Sequence, residues 1–123
     1  MSHPNFVILY VDNPSVSVAF YTGLLGGPPV EASPTFAMFA LDSGVILGLW
    51  ARHTVEPAAA LTGGGAELAF ALENNAAVDA LHAVWHDREV PIIQGPTVMD
   101  FGYTFTAKDP DGHRLRVFAP GGA

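Results

Sequence analysis

The sequence has no cysteine and few charged residues. Without cysteine there can be no disulfide and no thiolate chemistry, which suits a reducing compartment, and we predict a cytoplasmic location. Only 14% of the 123 residues are charged, against roughly 25% in an ordinary soluble domain, whereas 50% are hydrophobic. Some apolar surface should therefore be covered by a second subunit, and we expect a homodimer.

Basic residues are scarcer still. Five Lys and Arg stand against twelve Asp and Glu, which gives a formal net charge of −7, and the five are not clustered. Nucleic acids and anionic membranes both require a basic surface, so we expect neither as a partner. The sequence also has no apolar run near 18 residues and no basic start followed by an apolar stretch, which predicts neither a membrane span nor a signal peptide.

What the sequence does contain is one pattern that occurs twice. Residues 100–118 predict a hairpin of two strands, Tyr103–Ala107 and Arg114–Phe118, with Asp-Pro-Asp-Gly as a turn in which Pro and Gly favour the required dihedrals. Residues 36–50 follow the same plan, with Asp and Gly in the turn and an aromatic residue at the end. Aligning the two copies places Gly44–Trp50 on Gly112–Phe118.

The same three elements are predicted before each hairpin. In the first half they are a strand over Phe6–Val11 that is buried on both faces, a helix capped by Ser15 that ends near Leu25, and a short strand over Val30–Ala32. In the second half they are the strand Glu67–Leu72, a helix over about 76–88 capped within residues 73–75, and the strand Pro91–Gln94, which Gly95 and Pro96 end.

These elements predict an α+β fold built from two βαβββ modules. The first module covers about residues 4–52 and the second about residues 66–120, within a single domain of residues 1–123. The stretch between them, about residues 53–65, is rich in Pro, Ala and Gly and is therefore predicted to be a linker.

This pattern resembles the vicinal oxygen chelate superfamily, which includes glyoxalase I, extradiol dioxygenases and the fosfomycin and bleomycin resistance proteins. The resemblance covers nearly the whole chain and rests on Val7–Asn13, on Ala19–Tyr21 and on Asp109–Arg116. It implies two paired glyoxalase-like units whose curved mixed sheets form a cleft, often completed by dimerisation.

The resemblance also implies where a metal would lie. In the enzymes of the superfamily a divalent ion is held by side chains on the first and last strands of each module, and the internal repeat assigns these positions to Phe6, Gly48, Glu67 and Arg116. Such an ion needs about three nitrogen or oxygen donors, and the four positions supply one carboxylate, so we predict no metal, no cofactor and no catalytic residue. His3, which precedes the first strand, is the one other residue considered as a possible metal donor. Glu67 and Arg116 could instead form an ion pair that closes the cleft, orients a ligand or merely pairs on the surface.

Aromatic side chains dominate what is left in the predicted cleft. Residues two apart on a strand share a face, which adds Tyr10 and Trp50, and the closing hairpin offers three further rings. A planar ligand could stack on Trp50, although these rings could also be simply core. The predicted ligand-binding residues are Phe6, Tyr10, Gly48, Trp50, Glu67, Phe101, Tyr103, Phe105 and Arg116.

Within the superfamily, Leu9–Val11, Ile46–Trp50 and residues 100–117 are similar to the griseoluteate-binding phenazine antibiotic resistance proteins, which sequester the drug. Our leading hypothesis is metal-independent binding of a small planar aromatic compound such as an antibiotic. The alternatives are a metal-dependent lyase or dioxygenase with ligands elsewhere, and a structural or regulatory dimer with no ligand. His82 and His86 have a zinc-binding spacing but no evident third donor, so we interpret them as a solvated helix face.

Overall fold

The computed structural model describes residues 2–121. The chain forms two compact units, of which the first ends at Gly63 and the second begins at Gly64. We call them the first and the second module. The boundary lies inside the predicted linker, whose residues after a single 3-10 turn at Arg52–Thr54 adopt no regular structure up to residue 66.

Each module contains one helix and one mixed four-stranded sheet. The first module comprises β1 (Phe6–Val11), α1 (Pro14–Leu25), β2 (Glu31–Ala32), β3 (Phe36–Ala40) and β4 (Ile46–Ala51), with strand order β1-β4-β3-β2. The second comprises β5 (Glu67–Ala71), α2 (Asn75–Asp87), β6 (Ile92–Met99), β7 (Gly102–Lys108) and β8 (Arg114–Pro120), with order β5-β8-β7-β6. The first strand of each module runs parallel to the last, and the remaining pairs are antiparallel. The α+β prediction of two βαβββ modules is confirmed.

Both helices begin at an asparagine. The side chain of Asn13 accepts a hydrogen bond from the backbone N–H of Ser15 at 3.0 Å, so the prediction of Ser15 as the cap is wrong. Pro14 explains the earlier start, because a proline suits the first helical turn, where its missing N–H costs nothing. In α2 the cap is Asn74, which lies within the predicted stretch. Among the described residues no helix is long and apolar enough to cross a membrane.

Strand β6 is longer than predicted. It continues through Gly95 and Pro96 to Met99, and its pairing with β7 shifts register on both sides of Gln94. Because β6 lies at the edge of the sheet, a proline can be accommodated there without breaking an interior row of hydrogen bonds. Gly95 and Pro96 therefore mark irregularities within β6 rather than its end.

The core of each module lies between the helix and one side of the sheet. In the first module, Tyr21 of α1 is fully buried and contacts Phe39, with ring centroids 6.4 Å apart. In the second, Trp85 of α2 packs edge-on against Phe70 and Phe105 at 5.6 and 5.3 Å. The alternation of buried and more exposed residues along β8 follows from this one-sided cover, and β4 departs from it only at Gly48, which is also buried.

Strand β1 differs from its prediction as a strand buried on both faces. Phe6, Val7 and Ile8 are 46%, 37% and 43% exposed, and within β1 only Val11 is buried. The reason is its position: β1 is the edge of its sheet and pairs only with β4. An apolar run of strand length is equally compatible with an edge strand that carries exposed hydrophobic side chains.

Candidate functional site

Each sheet has one side that faces away from its own helix, which we call its open face. In the first module, Phe39 contacts α1, so the residues of opposite parity lie on the open face. The strand register carries this assignment from β3 to β4 and on to β1. The open face of the first module consists of Phe6, Ile8, Tyr10, Phe36, Met38, Ala40, Ile46, Gly48 and Trp50.

Three aromatic side chains form a row across this open face. Tyr10 and Phe36 lie opposite Trp50 on the two neighbouring strands. Each ring centroid is 6.2 Å from that of Trp50, with interplanar angles of 79° for Tyr10 and 70° for Phe36. These are edge-to-face contacts, which hold the indole in place while leaving it partly exposed. We call Tyr10, Trp50 and Phe36 the aromatic row.

Gly48 makes room for one member of this row. A Cβ atom at Gly48 would lie 3.0 Å from Cζ of Phe36 and 3.4 Å from Cγ1 of Ile8, closer than ordinary van der Waals contact in the first case. The ring of Phe36 therefore occupies the space in which a side chain at residue 48 would stand. A side chain at residue 48 would therefore require the ring of Phe36 to shift.

The open face of the second module is more polar. Phe105 contacts Trp85 of α2, so the threonines on either side of it in β7 lie on the opposite, open face. The register pairs Thr104 with Phe118 and Thr106 with Arg116. Together with the alternate residues of β5, this open face consists of Glu67, Ala69, Ala71, Gly102, Thr104, Thr106, Arg114, Arg116 and Phe118.

Glu67 and Arg116 form a bidentate ion pair on this face. The Nε and Nη2 groups of Arg116 donate to Oε1 and Oε2 of Glu67 at 2.7 and 2.9 Å. The side chains retain 17% exposure for Arg116 and 32% for Glu67. The hydrogen bonds from Arg116 lower the pKa of Glu67 and outweigh its partial burial, and the same bonds raise the pKa of Arg116. Both groups are therefore charged at neutral pH, and the ion pair carries no net charge.

Two threonines that the sequence alone did not single out extend this polar cluster. Arg116 Nη1 donates to Oγ1 of Thr104 at 3.2 Å, and that hydroxyl donates to the backbone carbonyl of Val117 at 2.8 Å. Oγ1 of Thr106 is buried and has no hydrogen-bond partner within the described part of the chain. The sequence contains a signal for these threonines, because they alternate along β7 with Tyr103 and Phe105 and therefore share the face of the sheet that carries Arg116.

Phe101 lies beside the cluster. The ring centroid of Phe101 is 5.6 Å from Cζ of Arg116, within cation–π range, and 5.8 Å from the ring of Phe118. Phe101 is 44% exposed, so its ring is available to a ligand. The second module thus places an exposed ring next to a hydrogen-bonding group.

Tyr103 and Phe105, which were predicted to line a ligand-binding cleft, lie on the side of the sheet that faces α2 and not on its open face. Phe105 has no exposed surface and packs between Trp85 and His82 at centroid distances of 5.3 and 5.1 Å. The hydroxyl of Tyr103 donates to Asp79 of α2 at 2.6 Å. Strand alternation is the cause, because these two aromatics and the threonines between and beside them point to opposite sides.

The four positions at which the resemblance implies a metal do not fit one. Phe6 and Gly48 supply no donor, and both carboxylate oxygens of Glu67 accept hydrogen bonds from Arg116. Across residues 2–121, no three His, Cys, Asp or Glu side chains are grouped as a metal site would require. His82 is half-buried against Phe105, and His86 is exposed, with their rings 6.2 Å apart. The predicted solvated face therefore describes His86, whereas His82 is partly covered by Phe105.

Comparison with known proteins identifies the family. The family model of the Glyoxalase/Bleomycin resistance protein/Dioxygenase superfamily matches residues 3–117. The chain belongs to this superfamily. This superfamily member is 30% identical over 117 residues to the phenazine antibiotic resistance protein EhpR of Enterobacter agglomerans, a match that covers 93% of the chain and 89% of that protein.

Two solved structures show the same fold in similar sequences. A protein from Agrobacterium tumefaciens, determined by solution NMR, is 61% identical with a TM-score of 0.90, covering 99% of this chain and 100% of that one. A glyoxalase/bleomycin resistance protein/dioxygenase from Nocardioides is 27% identical with a TM-score of 0.85, covering 99% and 88%. The superfamily resemblance inferred from the repeated hairpin is confirmed.

Proposed function

We propose that this superfamily member binds and sequesters a small planar aromatic compound, such as an antibiotic of the phenazine class, without a metal and without changing it chemically. The observation that carries the proposal is the aromatic row, three rings on an open face with Trp50 partly exposed at its centre. The similarity to EhpR, a phenazine antibiotic resistance protein, supports the choice of ligand class.

Apolar contact would supply most of the affinity. A buried aromatic group removes about 150–250 Å² from water, which at about 25 cal/mol per Å² is worth about 4–6 kcal/mol. Stacking geometry adds about 0.5–1.5 kcal/mol for each ring pair. Because the free energy from buried area exceeds the free energy from ring orientation, the site should accept several flat ligands and discriminate among them through polar contacts.

The metal-independent part of the proposal rests on the four positions that hold a metal in the enzymes of the superfamily. Phe6 and Gly48 carry no donor, the ring of Phe36 fills the space above Gly48, and Arg116 engages both oxygens of Glu67. Metal analysis of protein purified without a chelator tests it. We expect no stoichiometric divalent ion and unchanged ligand binding in EDTA, whereas a stoichiometric ion would favour the lyase or dioxygenase alternative.

Tryptophan fluorescence tests ligand binding, because the chain has two tryptophans in different surroundings. Trp85 is 2% exposed in the core of the second module, whereas Trp50 lies on an open face. In the variant Trp85→Phe, Trp50 is the sole reporter, and we expect saturable quenching by phenazine. The matched variant Trp50→Phe should show weaker binding by calorimetry. An absence of quenching by phenazine, bleomycin and other aromatic probes would count against the proposal.

We further propose that the chain forms a homodimer in the cytoplasm. The support for dimerisation is β1, an edge strand on which Phe6 and Ile8 are 46% and 43% exposed. Light scattering on the purified protein should give twice the mass of one chain, and a monomer at micromolar concentration would contradict this part.

A further inference from the structure

The polar cluster on the open face of the second module has hydrogen-bonding capacity that the protein does not use. The guanidinium of Arg116 has five N–H groups, of which two donate to Glu67 and one to Thr104. For the remaining two, one on each Nη, residues 2–121 provide no acceptor. Because Arg116 and Glu67 remain partly exposed, a bound molecule can reach them.

Thr106 provides the second, independent observation. Its side chain is 2% exposed, its Oγ1 makes no hydrogen bond to any described residue, and it lies directly across from Arg116 in the β7–β8 register. A buried hydroxyl without a partner destabilises a fold, so such groups point to a partner that is absent from the isolated chain. The hydroxyl can either donate or accept, whichever the bound group requires.

The charge of the cluster restricts what can bind. Glu67 satisfies the positive charge of Arg116 through two hydrogen bonds, so the pair is neutral as a unit. A carboxylate on a ligand that accepted from the outer N–H groups of Arg116 would be attracted by Arg116 and by Arg114, which lies across from Glu67 on the same face, and repelled by Glu67, so Glu67 weakens the binding of an anion. A neutral acceptor meets no such repulsion. The neighbouring ring of Phe101, which lies 5.6 Å from Cζ of Arg116, favours an aromatic body attached to that acceptor.

We infer that Glu67, Arg116 and Thr106 form a subsite for a hydrogen-bonding edge of an aromatic ligand, such as a carbonyl, an amide or a ring nitrogen, and that Glu67 lowers the affinity of this subsite for carboxylates. The inference rests on the proposed function, because it concerns a ligand of the same aromatic class, here contacting the open face of the second module. It assigns the ion pair the role of a specificity determinant.

Two phenazines of nearly identical shape test it. Phenazine-1-carboxamide is neutral at pH 7, whereas phenazine-1-carboxylate is an anion. Titration of the full chain by calorimetry gives the ratio of the two affinities, in which a tenfold change corresponds to about 1.4 kcal/mol. In Glu67→Gln, which keeps the shape but removes the negative charge, the carboxylate should gain at least about tenfold while the carboxamide changes less than about threefold.

The outcomes separate the two proposals. If unsubstituted phenazine binds but Glu67→Gln does not raise the affinity for the carboxylate, the inference is wrong and the proposed function stands. If Glu67→Gln leaves the preference unaltered, the inference is also wrong. If none of the three phenazines binds, the proposed function fails and the inference fails with it.

Thr106→Val provides a second variant should Glu67→Gln not fold. Valine has the shape of threonine without the hydroxyl, so the stability of the ligand-free chain should hold or rise, since an unpaired polar atom is removed. Affinity for the carboxamide should fall about fivefold, the loss of one ordinary hydrogen bond. A purely structural Thr106 would lower the unfolding midpoint and leave the affinity unchanged, and that result would overturn its place in the subsite.

Discussion

The Glu67–Arg116 ion pair should stabilise the fold measurably, and a double-mutant cycle can isolate its contribution. The perturbations are Glu67→Gln, Arg116→Met and the two combined. Exposed ion pairs contribute about 0.2–1 kcal/mol, and breaking a fully buried pair costs about 3–5 kcal/mol. With side-chain exposures of 17% and 32% and two hydrogen bonds, this pair lies between the limits, and we expect a coupling free energy of about 1 kcal/mol.

The chain contains a matched control pair. Nε of Arg52 donates to Oδ1 of Asp12 at 3.2 Å, and the two side chains are 53% and 74% exposed. An arginine and a carboxylate therefore form a single, solvated contact here, whose coupling free energy should be below about 0.5 kcal/mol. Urea unfolding followed by far-UV circular dichroism measures both cycles. Equal coupling free energies for the two pairs would show that burial and bidentate geometry do not strengthen the Glu67–Arg116 contact.

The pH dependence provides an independent check. The pKa of Glu67 is lowered in the folded chain, so the stabilisation is complete above the ordinary value of 4.5 and is lost as the pH falls through the lowered pKa. The stability difference between the native chain and Glu67→Gln should therefore be constant well above pH 4.5 and shrink as the pH falls below that value. Arg116 stays protonated throughout this range. A difference that stayed constant over the whole range would refute the assignment of a charged Glu67 held by Arg116.

Two glycine substitutions test the close contacts on the sheets. Gly48→Ala should lower stability by about 1 kcal/mol and weaken phenazine binding, because the new Cβ displaces the ring of Phe36; Gly65→Ala, which meets no atom within 4 Å, should do neither. Gly102→Ala should cost more than about 2 kcal/mol, because φ is +150° and the new Cβ would fall on the carbonyl oxygen of Ala119. Thermal denaturation measures the stability of each variant. A native-like unfolding midpoint for Gly102→Ala would contradict the described backbone.

Local patterns were enough to predict the fold. The repeated hairpin, the turn and cap residues before the helices and the apolar strands predicted two βαβββ modules, and the differences concern one helix cap, strand ends and the burial of β1. The helix α1 begins at Pro14, earlier than predicted, and the edge strand β6 continues through Pro96. The effect of a proline depends on whether the fold requires a hydrogen bond from its backbone nitrogen at that position. That requirement is set by the position of the strand in the sheet, which local composition does not reveal.

The site was harder to predict because it depends on strand parity. The repeat predicts Arg116 and Glu67 on one face, and their ion pair confirms that they share it. Tyr103 and Phe105 are aromatic and close in sequence to Arg116, yet the register that pairs Thr106 with Arg116 puts both rings against α2. Where residue type and parity disagree, parity determines the face, because a strand cannot turn one side chain without moving the backbone.

The two modules lack metal donors for different physical reasons, and the difference connects this absence with aromatic binding. In the second module the carboxylate of Glu67 is engaged by Arg116, so the obstacle is electrostatic. In the first module the obstacle is space, because the ring of Phe36 lies where a side chain at residue 48 would stand. Phe36 is also one end of the aromatic row, edge-on to Trp50. A side chain at residue 48 would require this ring to shift, so a metal ligand at that position would perturb the aromatic row.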